Sequence, residues 1–374
     1  MFYQTYVKVY LDNIRFNIKG IRRAIGAERK ILIPVKANAY GHGAVEVSRM
    51  AELIGVEWLG VATVAEGIQL REAGIRLPIL KFSPAFPEEM ETAITNVLTF
   101  TITDKANAES LQAECGRLAK KVAVHLKIDT GMGRIGVSPT EGPNLADYIE
   151  HSCPNLTLDG IFTHLPVSDA ADPTYTREQI ARFKSAVDAV QEKIGRKVAL
   201  VHCANSAGVL AHPDGWLNMV RPGIMVYGYY PDAATPRTIK LKPGLSFSTK
   251  ISYLKKVTKG TSIGYGRTWF APADTWIATI QVGYADGFNR LFSNRGRVLI
   301  NGRSYPIVGR VCMDQSMVDL GAETDAKVGD EAVLIGKSGT EEITGDEWAQ
   351  KLNTIPYEIT CQINARVPRL YDPY

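Results

Sequence analysis

Short apolar runs rich in β-branched residues recur along the chain at positions 31–35, 58–62, 78–82, 98–102, 122–129, 158–164, 200–205 and 220–224. Between most of them lie stretches with helical spacing, at 44–54, 65–73, 105–119 and 177–194. In the last of these, Ile180, Phe183, Ala186, Val187 and Val190 fall on one helical face. Strands alternating with helices predict parallel βα units. An open doubly wound sheet has the same local pattern, but eight strands favour a closed (β/α)8 barrel.

After Tyr230 the texture changes. Pro231, Pro236, Pro243 and Gly244 mark a linker. Short strand-like runs follow at 246–253, 276–283, 297–300, 307–313, 317–320 and 331–335. Asn301-Gly302, between 297–300 and 305–308, is a hairpin signal. One helical segment, 344–352, interrupts the pattern. The predicted architecture is therefore an N-terminal (β/α)8 barrel over residues 1–238 and a mostly-β domain over 239–374.

Composition narrows the function classes. With 374 residues, 45% hydrophobic and 22% charged, the chain is globular. A net charge of +4 from 43 basic and 39 acidic residues makes no case for a nucleic-acid or membrane-surface partner. The start, MFYQTYVKVYLDNIRFNIKG, lacks the basic-then-apolar order of a secretion signal, and no run is long enough to span a membrane. The five cysteines, Cys115, Cys153, Cys203, Cys312 and Cys361, are odd in number and form no C-x-x-C. A reducing cytoplasm is the expected setting. His42, His125, His151, His202 and His212 read as caps, core or surface, with no metal spacing among the histidines.

In a barrel the working groups sit at the carboxyl ends of the strands. Taken in order, those ends carry Lys36; then Lys127, Asp129 and Arg134; then His164; then Asn205 and Ser206; then Arg221, Gly223 and Ile224. The loops after strands seven and eight often hold phosphate, and Gly223 allows a close backbone approach. A phosphate site opposite a strand-end lysine suits pyridoxal phosphate, which needs an anchor and an amine. The competing reading of Lys36 is a solvated rim residue. Gly131, Gly133 and Gly136 match a dinucleotide fingerprint, but that motif opens directly into a helix. Here Val137-Ser138-Pro139-Thr140 intervenes, so the glycines more simply let Arg134 fold back over the rim. Beyond the linker, Tyr265 and Tyr284 lie in glycine-flanked segments, either plain turns or exposed phenols. Val311-Cys312-Met313-Asp314 fits a buried strand end, where a lone cysteine is ordinary core.

Taken together, several separated motifs resemble those of the alanine racemases, pyridoxal-phosphate enzymes of fold type III. They are VKANAYGHG at 35–43, the segment 129–136, Phe162-Thr163-His164, Asn205-Ser206-Ala207 and Arg221-Pro222-Gly223-Ile224. Gly264-Tyr265-Gly266, the segment 283–287 and the segment 309–314 complete the set, which runs nearly end to end.

The resemblance implies a head-to-tail homodimer in which each site is completed by the partner's β domain. It implies that Lys36 carries the cofactor as a Schiff base, that Tyr40, Ser206, Gly223, Ile224 and Tyr357 hold its phosphate, and that Asn205 also contacts the cofactor. Lys36 and Tyr265 would be the two bases of proton exchange at Cα. A free phenol, with a pKa near about 10, is a weak base at neutral pH, and the resemblance points to His164 and Arg221 as the chain that eases its deprotonation. Arg221 would also face the pyridine nitrogen. Arg134 and the backbone at Met313 would bind the substrate carboxylate, with Tyr284, Cys312 and Asp314 nearby. The resemblance also implies that Lys127 is a site for carbamylation, positioning Arg134, against the plainer alternative of a salt bridge. The implied activity is L-/D-alanine interconversion, which supplies D-alanine for peptidoglycan. A broader amino-acid racemase, a non-catalytic cofactor carrier and a nicotinamide dehydrogenase are the alternatives.

Overall fold

The computed structural model describes residues 3–372, and their contacts divide the chain into two compact units. One comprises Ile14–Ala39 and Gly43–Lys242; the other comprises residues 3–13, Tyr40–His42 and 243–372. Sequence alone groups the N-terminal residues with the barrel. In the structure Tyr6–Val9 is instead a strand of the second unit, antiparallel to the start of Leu245–Val257 and parallel to Arg369–Tyr371.

The first unit contains eight parallel strands: Lys30–Pro34, Trp58–Val61, Ile79–Lys81, Phe100–Ile102, Val122–Lys127, Leu156–Phe162, Leu200–His202 and Met219–Val220. Each lies within or overlaps a run expected from the apolar pattern. They neighbour one another in chain order, and the eighth returns to the first through Lys30↔Met219 and Ile31↔Val220. Leu80↔Thr99 joins the third to the fourth, and the Arg221 N–H donates to the Ala204 carbonyl at 2.8 Å beside the seventh. Leu32, Trp58, Leu80, Leu200 and Met219 fill the inside, with Phe82 against them, so the barrel is a packed core.

The helix Thr174–Ile194 shows how pattern becomes packing. Its face of Ile180, Phe183, Ala186, Val187, Val190 and Ile194 is buried. Each of the larger side chains contributes about 1.5–3 kcal/mol by leaving water. Helices Ala44–Leu53, Val64–Glu72 and Lys105–Arg117 also match the pattern. Pro87–Thr95 and Gly142–Ser152 form further helices that the spacing does not single out.

In the second unit a nine-stranded sheet is mostly antiparallel, and Leu245–Val257 pairs with Glu331–Ser338 as well as with Thr275–Ile280. Arg297–Ile300 and Arg303–Val308 form the expected hairpin. Asn301 and Gly302 have φ values of 49° and 76°, the two left-handed positions of a type I′ turn. The run 307–313 departs from expectation: its strand ends at Val308, and Gly309 turns the chain with φ 73°. Cys312 and Met313 consequently sit in a loop rather than at a strand end. Phe247, Phe288, Phe292 and Trp348 form an aromatic cluster, with Phe292 and Trp348 at 4.6 Å between centroids.

Gly41 and Gly55 separate two costs of replacing a glycine. Both have positive φ, 83° and 78°. A Cβ on Gly55 meets open space, whereas one on Gly41 lies 2.1 Å from the Thr360 carbonyl oxygen. Gly55→Ala should lose about 1 kcal/mol from backbone conformation alone. Gly41→Ala should lose about 3 kcal/mol or more, because a backbone atom must move. Denaturant unfolding of both variants checks this; equal losses would mean that the close approach costs nothing.

Candidate active site

The first barrel strand delivers Lys36 to the rim. The Val35 N–H donates to the Gly60 carbonyl at 2.8 Å, and the Tyr227 hydroxyl donates to the Pro34 carbonyl at 2.8 Å. Lys36 itself is half-buried. The next residues do something unusual for L-amino acids: Ala37, Asn38, Ala39 and Tyr40 all have φ of 52–53°. This is a turn of left-handed helix, which costs roughly 1–2 kcal/mol per residue. Local hydrogen bonds offset the strain. The Ala37 N–H donates to Glu66 Oε1 at 2.7 Å, the Ala44 N–H to Asn38 Oδ1 at 2.9 Å, and the Gly43 N–H to the Asn38 carbonyl at 2.8 Å. Glu66 is itself fixed as the capping-box residue of helix Val64–Glu72.

Arg221, at the end of the eighth strand, is buried. Its Nη1 donates to His202 Nδ1 at 2.8 Å. Its Nη2 donates to the Thr163 carbonyl at 2.7 Å and the Cys203 carbonyl at 3.2 Å, and faces His164 Nδ1 at 3.4 Å. The guanidinium carbon also lies 5.4 Å from the Phe162 ring centroid. Burial pulls the Arg221 pKa down to about 10, with Arg134 adding repulsion, which leaves it protonated at neutral pH. Behind it, His202 Nε2 meets His125 Nδ1 at 2.9 Å. Burial and then Arg221 hold His164 and His202 well below the ordinary imidazole range, and push His125 down to about 3. All three are therefore neutral imidazoles.

The fifth strand ends at Lys127, which is 2% exposed. Its Nζ has no hydrogen-bond partner among the described residues and lies 4.8 Å from the Phe162 ring centroid. Burial, then the charges of Arg221 and Arg134, drive its pKa well below that of an ordinary lysine. Asp129 does not serve as its partner, because its carboxylate is occupied by its own loop. Asp129 Oδ1 accepts from Gly131 and Met132 N–H at 2.9 and 2.8 Å, and Oδ2 accepts from Gly133 N–H at 2.8 Å. That loop carries Arg134, which is exposed. The chain then returns along the strand, with Val137 N–H donating to the Lys127 carbonyl at 3.1 Å. The next helix starts only at Gly142, six residues after Gly136, so the three glycines do not open into a helix as a dinucleotide site requires.

At the seventh and eighth strand ends, Ser206 Oγ accepts from the N–H groups of Gly223 at 2.9 Å and Met225 at 3.4 Å. Asn205 Oδ1 accepts from Gly208 N–H at 2.9 Å and from Ser168 Oγ at 2.8 Å. Ser206, Gly223 and Ile224 are all buried. The barrel unit thus gathers buried donors and a hydroxyl in the turns where a phosphate anchor is expected.

The second unit brings together other residues. Tyr40 and Tyr357 lie 5.9 Å apart between ring centroids, and burial raises the Tyr40 pKa above the phenol range. Tyr265 is 71% exposed between Gly264 and Gly266, whose φ values are 74° and 71°. Tyr284 N–H donates to the Cys312 carbonyl and Ala285 N–H to the Met313 carbonyl, both at 3.1 Å. A Cβ on Gly283 would lie 2.2 Å from the Met313 carbonyl oxygen, so glycine is required for this approach. Arg366 braces the loop, donating from Nε to Asp286 at 2.8 Å and from Nη2 to Asp314 at 2.7 Å. Tyr284, Cys312, Met313 and Asp314 therefore form one cluster.

Sequence reading left His125 and His202 without a role. One signal was available: His125 and Lys127 share parity on the fifth strand, so both belong to one face. Glu66, Asn38 and Arg366 were likewise visible only once the loops were folded.

Two family models cover the chain: "Alanine racemase, N-terminal domain" matches residues 9–231, and "Alanine racemase, C-terminal domain" matches 244–371. An alanine racemase of Cutibacterium acnes is 47% identical over 363 residues, 96% of each chain. An alanine racemase of Treponema denticola is 42% identical over 97% of both. Among solved structures, the alanine racemase of Clostridium difficile 630 superposes with a TM-score of 0.95 at 38% identity, covering 100% of this chain and 96% of that one. The Bacillus anthracis enzyme with bound L-Ala-P has a TM-score of 0.94 at 35% identity, with the same coverage.

The neutral histidines have a consequence for acid stability. An unfolded histidine titrates near about 6.5, whereas folded His125 titrates at about 3. Between those values the unfolded chain binds the extra proton. The contribution to stability is thus fully present above the unfolded value and is lost as pH falls towards the folded one, by up to about 1.4 kcal/mol per pH unit for one histidine. Urea unfolding between about pH 6 and pH 4 should give a shallower pH slope for His125→Phe by about that amount. An unchanged slope would mean that His125 titrates normally in the fold.

Proposed function

The chain belongs to the alanine racemase family of isomerases, and from that premise we propose that it interconverts L-alanine and D-alanine with pyridoxal phosphate as cofactor. The supporting observation is a barrel rim that joins a strand-end lysine to a buried arginine with only neutral partners and to a buried serine turn. These residues fit the group. Lys36 offers the amine, Arg221 offers donors with no carboxylate partner among the described residues, and Ser206, Gly223 and Ile224 offer a buried polar cradle for phosphate, with Asn205 capping the adjoining helix. Tyr40 and Tyr357, packed on each other in their own unit, are proposed as phosphate-binding phenols. When bound, the cofactor supplies an aldehyde that captures the substrate amine and a ring that withdraws electrons from Cα.

Lys36 moves a proton on one face of Cα, and Tyr265 from a partner subunit moves one on the other. The exposure of Tyr265 within its own unit supports delivery to a second copy in a head-to-tail homodimer. His164 is neutral and accepts from Arg221 at Nδ1, so its remaining proton is on Nε2. That N–H can donate to a phenol oxygen and ease loss of the phenolic proton. Arg221 has donors only, so it would leave a ring nitrogen held against it unprotonated, and the bound group would supply a weaker electron sink. Arg134 is proposed to bind the substrate carboxylate, and the cluster of Tyr284, Cys312, Met313 and Asp314 is proposed to contribute substrate contacts, with the Met313 backbone as a carboxylate donor.

Lys127 is proposed to be carbamylated. Its amine is buried, has no hydrogen-bond partner among the described residues, and is driven by burial well below the ordinary lysine range, which makes its lone pair more available to carbon dioxide. Attack forms a C–N bond and releases one proton, and the resulting carbamate is an anion set among Arg134 and Arg221. The D-alanine produced is expected to serve peptidoglycan.

Borohydride treatment of the protein with pyridoxal phosphate should abolish its visible absorption band and leave the reduced label on Lys36. A label elsewhere, or a colourless protein, would overturn the cofactor assignment. A panel of L-amino acids, read by chiral chromatography, should show alanine as the best substrate; faster turnover of serine would widen the specificity.

Tyr265→Phe should lower racemisation by about 10²–10⁴-fold while leaving cofactor absorbance intact, the usual cost of losing a general acid–base group. Solvent-deuterium exchange at Cα should survive for one enantiomer only. Mixing Lys36→Ala and Tyr265→Phe subunits should restore part of the activity. Full activity in Tyr265→Phe would remove the second base from the scheme.

A further inference from the structure

The reaction as proposed uses the outer side of Arg221 and assigns nothing to the two histidines on its inner side. We propose that Arg221 dictates the tautomers of His202 and His125, and that the ordered pair positions the guanidinium at the barrel rim. The inference rests on the reading that Arg221 meets the cofactor ring.

The proton order follows from donor counting. A guanidinium has five N–H donors and no acceptor. His202 Nδ1, 2.8 Å from Arg221 Nη1, must therefore accept. A neutral His202 then carries its proton on Nε2, which lies 2.9 Å from His125 Nδ1. That nitrogen must accept in turn, so His125 carries its proton on Nε2. His125 Nε2 has no hydrogen-bond partner among the described residues. The chain therefore runs one way, from Arg221 inward, and ends on a ring packed 5.3 Å from Trp58 and 6.4 Å from Phe162 between centroids. The opposite order would set an N–H of His202 against an N–H of Arg221.

The surroundings oppose any charged alternative. Both imidazoles are fully buried, and after burial Arg221, then His125 and Lys127, oppose a charge on His202. His202 also stacks on Phe162, 5.0 Å apart and nearly parallel at 6°. Gly160 makes room for the pair: a Cβ there would lie 2.5 Å from the His125 ring. His202 is thus held by a ring on one face and by a hydrogen bond at each nitrogen. Such a group offers Arg221 an acceptor in one fixed place, and small misalignments of a group that must meet a reacting ligand cost rate. His125 and His202 are positioning residues, because neither touches the substrate in this scheme.

The test uses the full-length holoprotein with histidine ring nitrogens labelled with nitrogen-15, the six histidines being assigned by single replacement. Ring-nitrogen shifts should show His125 and His202 protonated on Nε2 only, unchanged from about pH 5 to about pH 9. A proton on His202 Nδ1, or an imidazolium at either residue, overturns the proton order. Turnover then tests the role. His125→Phe removes the acceptor for His202 Nε2–H, and His125→Asn keeps one. His125→Phe should lower kcat about tenfold with KM for alanine little changed, and should show a second tautomer at His202; His125→Asn should recover most of the rate. Wild-type kcat in His125→Phe, or equal losses in both variants, overturns the positioning role. A wild-type protein that does not racemise alanine would instead overturn the assigned reaction, and the tautomer spectrum would still decide the proton order.

Discussion

The burial of one guanidinium without a counter-ion organises the barrel's chemistry. An unpaired charge taken out of water costs several kcal/mol unless other groups replace its solvation. Among the described residues no carboxylate makes an ion pair with Arg221. Its solvation comes from the Thr163 and Cys203 carbonyls, the His202 and His164 imidazoles and the face of Phe162. Because a guanidinium only donates, each imidazole that serves it must present a bare nitrogen. The charge that makes the site expensive therefore also fixes the direction of the hydrogen bonds leading away from it.

The same cation sets the state of its neighbours. Arg221 is the second-largest cause, after burial, of the low pKa of Lys127, His164 and His202. Arg134, Lys36 and Lys127 add to the depression of His164. The rim thus collects positive charge, while the nearby carboxylate of Asp129 is spent on the N–H groups of its own loop. Such a site is electrostatically unfinished. The three anions of the proposed function, a cofactor phosphate, a substrate carboxylate and a lysine carbamate, are the groups that would balance it. The phenols, by contrast, all belong to the other unit: Tyr40, Tyr265, Tyr284 and Tyr357.

Much of this was legible in the sequence, and the limits have physical causes. All eight barrel strands showed as apolar runs because each is buried along nearly its whole length, and strand ends then pointed to Lys36, Lys127, His164, Ser206 and Arg221. Roles such as that of Tyr265 came from resemblance, since a tyrosine between glycines is also an ordinary turn. The pairing of Tyr6–Val9 with the C-terminal sheet was hidden because it joins residues more than 230 positions apart. Cys312 and Met313 read as strand because Ile307–Met313 is apolar apart from Gly309 and Arg310, but Gly309 breaks the strand with a positive φ that the apolar pattern does not reveal. His125 and His202 were opaque for another reason. A buried histidine acquires meaning from what faces each nitrogen, and those partners come from different strands.

The left-handed turn after Lys36 carries that point into the backbone. Nothing in Ala37-Asn38-Ala39-Tyr40 announces it; only asparagine among these types visits the region readily. Glycine would adopt the same φ at little cost, yet four residues with side chains hold it. Their conformation is imposed from outside, by Glu66 at one end and by the Asn38 hydrogen bonds at the other. A side chain in this region narrows the alternatives open to the segment, whereas glycine would widen them. The strain therefore has a structural return. It fixes the backbone immediately after the strand-end amine. A flexible glycine turn would relieve the strain and loosen Lys36, the group whose placement the proposed chemistry can least spare.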